Sequence, residues 1–305
     1  MTIEMTPTVE RTTWRRVPEW ALVPIAALVW WLAGFLPWLL NGAGRDVLSE
    51  GGVGFLLLPP LMSGGVSQLV LGAGVGGVAA GLTSLLSDGS RALRAGACAA
   101  GVAVALLVTL LQTRNGVSDT AFDSRVTNGL TVVVVVTTIV GLGLGLLSLV
   151  GRGGLGFAVG ALAGATPYWV MTVFMAFQFV DTTGRLEVAH RVSEWSGAVV
   201  LAGALLCVGL VPGVRAVAWV GIVLLAWFIG PTITAAGYME VFLRPGMGVA
   251  DRWGDQLSAT ADVWRTAASL DARSLAPWAA PIVVAAAAAT WLALRARART
   301  DQPAQ

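Results

Sequence analysis

Lysine is absent from this 305-residue sequence, and all nineteen basic residues are arginine. Charge of either sign is scarce: Asp, Glu and Arg together make up 12% of the chain, against roughly 25% in ordinary soluble domains. With 56% hydrophobic residues and a mean hydropathy of +0.77, a water-soluble globule is excluded. A formal net charge of +2 leaves no basic surface of the size a nucleic-acid partner requires. The single histidine, His190, has no second imidazole with which to share a metal ion. No metal or other cofactor is expected. The two cysteines, Cys98 and Cys207, stand apart inside apolar segments, which excludes a disulfide framework and a CxxC redox site. The exclusive use of arginine reflects the base composition of a GC-rich bacterial genome, so the expected location is a bacterial inner membrane.

What the chain has in abundance is uncharged length. Gly51 to Ser87 contains no ionisable side chain and is broken by Pro59-Pro60. One helix of that length would rise about 55 Å, too long for one crossing of a hydrocarbon core of about 30 Å and too short for two with a turn. The reading is one span from Gly64 to Leu86, preceded by a lead-in that ends at the prolines. Seven further apolar segments follow the same logic: Trp20 to Leu40, Ala95 to Leu111, Leu130 to Val150, Leu155 to Val180, Trp195 to Val211, Val217 to Tyr238 and Pro277 to Leu294. Val132 to Val136 has strand propensity, but the bilayer's demand for internally satisfied backbone groups favours helix. The expected fold is all-α, a polytopic integral membrane bundle of about eight transmembrane helices. A cleavable signal peptide does not fit the first segment, which is longer than the usual apolar region.

Eight spans place both termini on one side. The connections on that side hold ten arginines against five acids, and the opposite side holds nine against twelve, so both termini are expected in the cytoplasm. Residues 1–19 form a cytoplasmic segment, 20–294 the transmembrane domain and 295–305 a cytoplasmic tail. Residues 239–275 are the longest outer loop. Within it, Val249 to Ala268 is amphipathic at helical period, with Trp253, Leu257, Val263 and Trp264 on one arc and Asp251, Asp255, Asp262 and Arg265 on the other. Four spans followed by four also suggest a parallel repeat, 1–150 and 151–305. Its support is a Gly-Arg pair and a Ser-Glu pair recurring in the first outer loop of each half, at Gly44-Arg45 and Ser49-Glu50 and at Gly184-Arg185 and Ser193-Glu194.

Two sets of residues stand out inside the spans. Gly72 to Gly77 matches GxGxxG, but a dinucleotide fingerprint needs a strand–turn–helix unit, and this one lies in an uncharged span. Gly72 with Gly76, Gly77 with Gly81, and the ladder Gly156, Gly160 and Gly164 read instead as faces for close helix packing. The second set comprises helix breaks beside neutral polar groups: Pro59 and Pro60 before Gln68, Pro167 between Thr166 and Tyr168, and Pro231 before Thr232. Proline frees a backbone carbonyl, and breaks that face one another form a polar path. No charged residue lies in the assigned cores, so the expectation is a neutral intramembrane pocket lined by Gln68, Thr166, Tyr168 and Thr232, with no titrating group for proton coupling. Outer carboxylates, Asp46 with Glu50 and a cluster around His190, bear only a distant analogy to glycosyltransferases that use lipid-linked sugars.

The function these features support first is a permease-like or channel-like protein that binds or moves a neutral or amphipathic solute. A non-catalytic membrane subunit and a lipid-linked-sugar transferase are the alternatives. The bilayer is the primary partner, a membrane-protein partner or a homo-oligomer would pack on glycine faces, and no nucleic acid is involved.

Overall fold

The structure, a computed structural model, describes residues 16–44, 59, 61, 65–117, 124–177, 183–210, 214–243 and 253–300. Among them are nine α-helices and no strand: α1 (Leu22–Gly44), α2 (Val66–Leu82), α3 (Arg91–Val117), α4 (Ser124–Leu146), α5 (Arg152–Ala176), α6 (Thr183–Val208), α7 (Val214–Met239), α8 (Trp253–Ala268) and α9 (Ala276–Thr300). All except α8 belong to segments long and apolar enough to cross a bilayer. Large apolar side chains such as Leu107, Val132, Ile139, Val199, Val217 and Val283 remain exposed around the bundle, where lipid is their natural solvent. The chain is a multi-pass, all-α membrane protein.

Glycine decides which helices meet. On α2, Gly72 and Gly76 face α1, where added Cβ atoms would strike the Phe35 ring and the Trp30 carbonyl, while Gly77 and Gly81 face α4. There a Cβ on Gly77 would lie 2.7 Å from the Thr138 carbonyl oxygen, and one on Gly81 2.7 Å from the Gly145 Cα. Helix backbones in lipid gain little from hydrophobicity and associate through packing, so the bare Cα atoms set these contacts. On α5 the ladder Gly156, Gly160 and Gly164 accepts Val208 of α6 together with Ile222, Ala226 and Ile229 of α7. Helix α5 is the centre of the molecule and touches α1, α2, α4, α6 and α7.

The main pairings recur in the two halves. Helix α1 packs on α2 and α3, and α2 on α4; α5 packs on α6 and α7, and α6 on α9. Contacts between the halves are not exchanged in the same way, because α5 reaches α1, α2 and α4, whereas α7 reaches α2. At that junction Glu240, just past α7, accepts a hydrogen bond from the Ser67 amide at 3.3 Å, placing a carboxylate at the positive end of α2.

Two stretches depart from the sequence reading. The polar segment expected as a loop up to Glu194 is helical from Thr183, so Glu187, His190, Arg191 and Glu194 stand on the first turns of α6. Polar residues outside the hydrocarbon continue the helix at no desolvation cost, and the Arg191–Glu187 pair at 2.8 Å joins successive turns. The second departure is α8, the described part of the amphipathic helix. Expected within the outer loop, it runs antiparallel along α7: Thr260 bonds Met239, Trp264 bonds Thr232 and stacks on Phe228, and the Ala268 carbonyl accepts from Trp227. Trp264, Ala268 and Arg273 are thereby carried along α7 as far as Trp227.

Candidate ligand cavity at the proline breaks

Proline has no N–H, so each one inside a helix leaves the carbonyl four residues earlier without its donor. Four prolines lie inside the described helices beyond their first turn, Pro37, Pro167, Pro231 and Pro281, and the carbonyls freed by the first three have different fates. Pro37 frees that of Ala33, which accepts from Trp169 Nε1 of α5 at 2.7 Å. Pro231 frees that of Trp227, which accepts from Arg273 Nη1 at 3.0 Å. Pro167 frees that of Ala163, whose oxygen would lie 3.0 Å from a Cβ on Gly197 of α6. Neighbouring elements therefore supply donors at two breaks, and at the third a glycine lets α6 approach.

A cavity of about 460 Å³ lies at the second and third breaks, enclosed by α5, α6, α7 and the start of α9. Its apolar wall includes Ala163, Met171, Leu201, Pro277 and Trp278, and its polar groups are Tyr168, Ser193, Thr234 and Arg273. The exposed residues His190, Glu194, Ala272 and Ser274 form its rim, at the end of the bundle away from the chain termini. Tyr168 OH and Thr234 Oγ share a hydrogen bond of 2.8 Å, and Thr234 also donates to the Gly230 carbonyl. Ser193 is buried and its Oγ has no partner among the described residues.

Arg273 defines the electrostatics. Its guanidinium carbon lies 4.9 Å from the Trp227 ring centre and 5.9 Å from that of Trp278, and these two rings meet edge to face at 4.9 Å. Gly230 leaves the space it occupies, since a Cβ there would come within 2.6 Å of Nη2. Burial lowers the arginine's pKa below its ordinary value, with Tyr168 acting in the opposite direction, yet a guanidinium stays charged at any physiological pH.

The sequence-selected polar residues do not converge. Tyr168 and Pro167 line this cavity, while Thr232 lines a second, more apolar one of about 270 Å³ between α2, α4, α5 and α7. Thr166 donates to the Leu162 carbonyl at 2.7 Å and Gln68 is half-buried near the start of α2; neither lines either cavity. Pro231 is buried beside Gly230 and acts through the carbonyl it frees, and Pro59 is buried. Pro60, Asp46, Glu50 and Trp253's side chain lie outside the described residues. The cavity that holds Tyr168 is not neutral as expected, because a loop arginine enters it. Arg273 escapes sequence reasoning since it belongs to no apolar span; the available signal is the short interval, residues 269–275, between α8 and α9.

No protein-family model, curated protein or solved structure matches this chain.

Proposed function

We propose that this protein is a permease-like component of a bacterial inner membrane, with both termini cytoplasmic, that binds a small amphipathic solute in the cavity beside Pro167. The observation that carries the reading is the cavity itself: an apolar wall, a few convergent polar groups and a rim of exposed residues at one end of the bundle, the usual make-up of a small-molecule site. Proline breaks at its wall fit the broken helices that carry solute sites in transporters. The glycine faces of α2 and α5 are taken up inside the chain, which withholds support from a scaffold that docks partners on them.

The test places a single cysteine at Met171, in a chain also carrying Cys98→Ala and Cys207→Ala, reconstituted in phosphatidylcholine nanodiscs. A membrane-impermeant maleimide should react there, and at least one of hexyl glucoside, hexyl phosphate and hexylammonium should slow the reaction. Protection by none of them would overturn the reading. Uptake of the protecting compound into proteoliposomes, above that of protein-free vesicles, distinguishes a permease from a receptor.

A further inference from the structure

Arg273 lies deeper than its position in a connecting segment suggests. Its partner Trp227 stands twelve residues beyond Arg215 and sixteen before Leu243 in the span of α7, or about 18 Å and 24 Å from the two ends at 1.5 Å per residue. An arginine set within the thickness of a membrane bundle is usually paired or functional. Among the described residues Arg273 bonds one carbonyl and lies over two indole faces, all of them neutral. None of the ion pairs among the described residues includes it.

A carbonyl and two ring faces orient a guanidinium without neutralising it. The group has five N–H donors in a planar fork that matches a carboxylate or phosphate, and the bond to Trp227 occupies one of them. Beside it, in the same cavity, are the Tyr168–Thr234 hydroxyl pair and Ser193, whose buried Oγ is unpartnered among the described residues. Glu194 bears the opposite charge, but it stands exposed on the rim, where water screens it; the guanidinium, half-buried, keeps a stronger local field. The remaining wall is hydrocarbon and indole.

We propose that the cavity takes an amphipathic acid, its carboxylate or phosphate paired with Arg273 and its apolar part against Met171, Leu201 and Trp278. This assignment rests on the binding function proposed above and adds the charge of the ligand. Two sources share the chemistry: a soluble amphiphile entering from the aqueous side, and an anionic lipid head group entering from the bilayer.

The Met171→Cys reporter separates the outcomes. In phosphatidylcholine nanodiscs, hexyl phosphate and hexanoate should slow labelling, and should reach the same protection at a concentration about tenfold lower than hexyl glucoside, a ratio equivalent to about 1.4 kcal/mol of binding free energy. Arg273→Gln should abolish that protection and Arg273→Lys retain part of it. Gly230→Ala, which displaces the guanidinium and keeps the charge, should weaken it and serves if Arg273→Gln does not fold. Slow labelling without added solute in nanodiscs containing phosphatidylglycerol, relieved by Arg273→Gln, identifies the lipid source. Protection by inorganic phosphate as strong as by hexyl phosphate would overturn the amphipathic part of the proposal. Equal protection by hexyl glucoside and hexyl phosphate, unchanged in Arg273→Gln, would overturn the anion assignment and leave the binding function standing. Absence of protection by any amphiphile would remove both.

Discussion

Arg273 donates to the carbonyl of Trp227 at 3.0 Å, the same carbonyl that Pro231 deprives of its helical donor. The break in α7 and the cation in the cavity are thus two halves of one arrangement. Without proline at 231 the Trp227 oxygen would be taken by the helix, and without the arginine it would lose the donor that replaces the helical one.

This coupling is measurable. Arg273→Gln alone should lower stability by about 1–3 kcal/mol, as expected for a hydrogen bond from a charged donor, read as a fall in thermal midpoint in detergent. In a Pro231→Ala background the restored N–H satisfies the Trp227 carbonyl, so the same substitution should cost distinctly less. An equal cost in both backgrounds would show that residue 231 and Arg273 are energetically independent.

The glycine contacts sort into positions with and without room. At Gly76 and Gly141 an added methyl meets a backbone carbonyl, of Trp30 and Gly74 respectively, whereas at Gly96 and Gly143 it meets nothing within 4 Å. Gly76→Ala and Gly141→Ala should each destabilise by about 1–3 kcal/mol through overpacking. Gly96→Ala and Gly143→Ala should be neutral or stabilise by up to about 1 kcal/mol, because alanine is the better helix former. Thermal unfolding monitored by size-exclusion fluorescence gives the comparison, and four equal results would refute the packing account.

Length and apolarity were enough to make the spans legible: the sequence reading of a span from Val217 to Tyr238 lies within the observed Arg215–Leu243. Bare Cα positions four apart suit close helix packing in lipid, and neighbouring helices lie against Gly72, Gly76, Gly77 and Gly81. The cavity was half legible. Pro167 and Tyr168 announce a break with a hydroxyl beside it, but nothing in the composition of residues 239–275 shows that α8 will pair with α7 and carry Arg273 inward. That placement depends on tertiary contacts such as Trp264 Nε1 to Thr232 Oγ at 3.2 Å, which join residues far apart in the chain and have no local periodicity. The recurrence of the α1–α2–α3–α4 pairings in α5–α6–α7–α9 was foreshadowed only by scattered Gly-Arg and Ser-Glu pairs; we propose that the halves are a parallel repeat.

The orientation of the chain rests on the distribution of arginine between alternate connections. Reporter fusions at Asn115, Glu187 and Asp255 should read as periplasmic, and those at Gly89 and Gln305 as cytoplasmic. A periplasmic reading at Gln305 would invert the whole arrangement and put the mouth of the cavity on the cytoplasmic side.

The last expectation concerns α8, an amphipathic helix whose contacts tie it to α7. Trp264 is held by the Thr232 hydroxyl and stacks on Phe228 with ring centres 5.4 Å apart, while Leu257 and Asp262 point away and are exposed. Single cysteines at Gln256, Leu257 and Asp262, in the Cys98→Ala, Cys207→Ala chain, should therefore label unequally with an aqueous maleimide: position 262 fastest, and 256, which is buried, slower by about tenfold or more, a ratio equivalent to about 1.4 kcal/mol of protection. Trp264→Ala should loosen the whole connection, because the next contact down the helix is the Trp227 indole bond to the Ala268 carbonyl, directly above the turn that positions Arg273. The readout is labelling of a cysteine at Ser274, on the cavity rim: it should rise in Trp264→Ala and stay unchanged in Asp262→Asn, whose side chain pairs only with Arg265 in the described structure. Equal labelling at 256 and 262, with no response at 274, would mean that α8 moves freely of α7 and does not hold Arg273 in place.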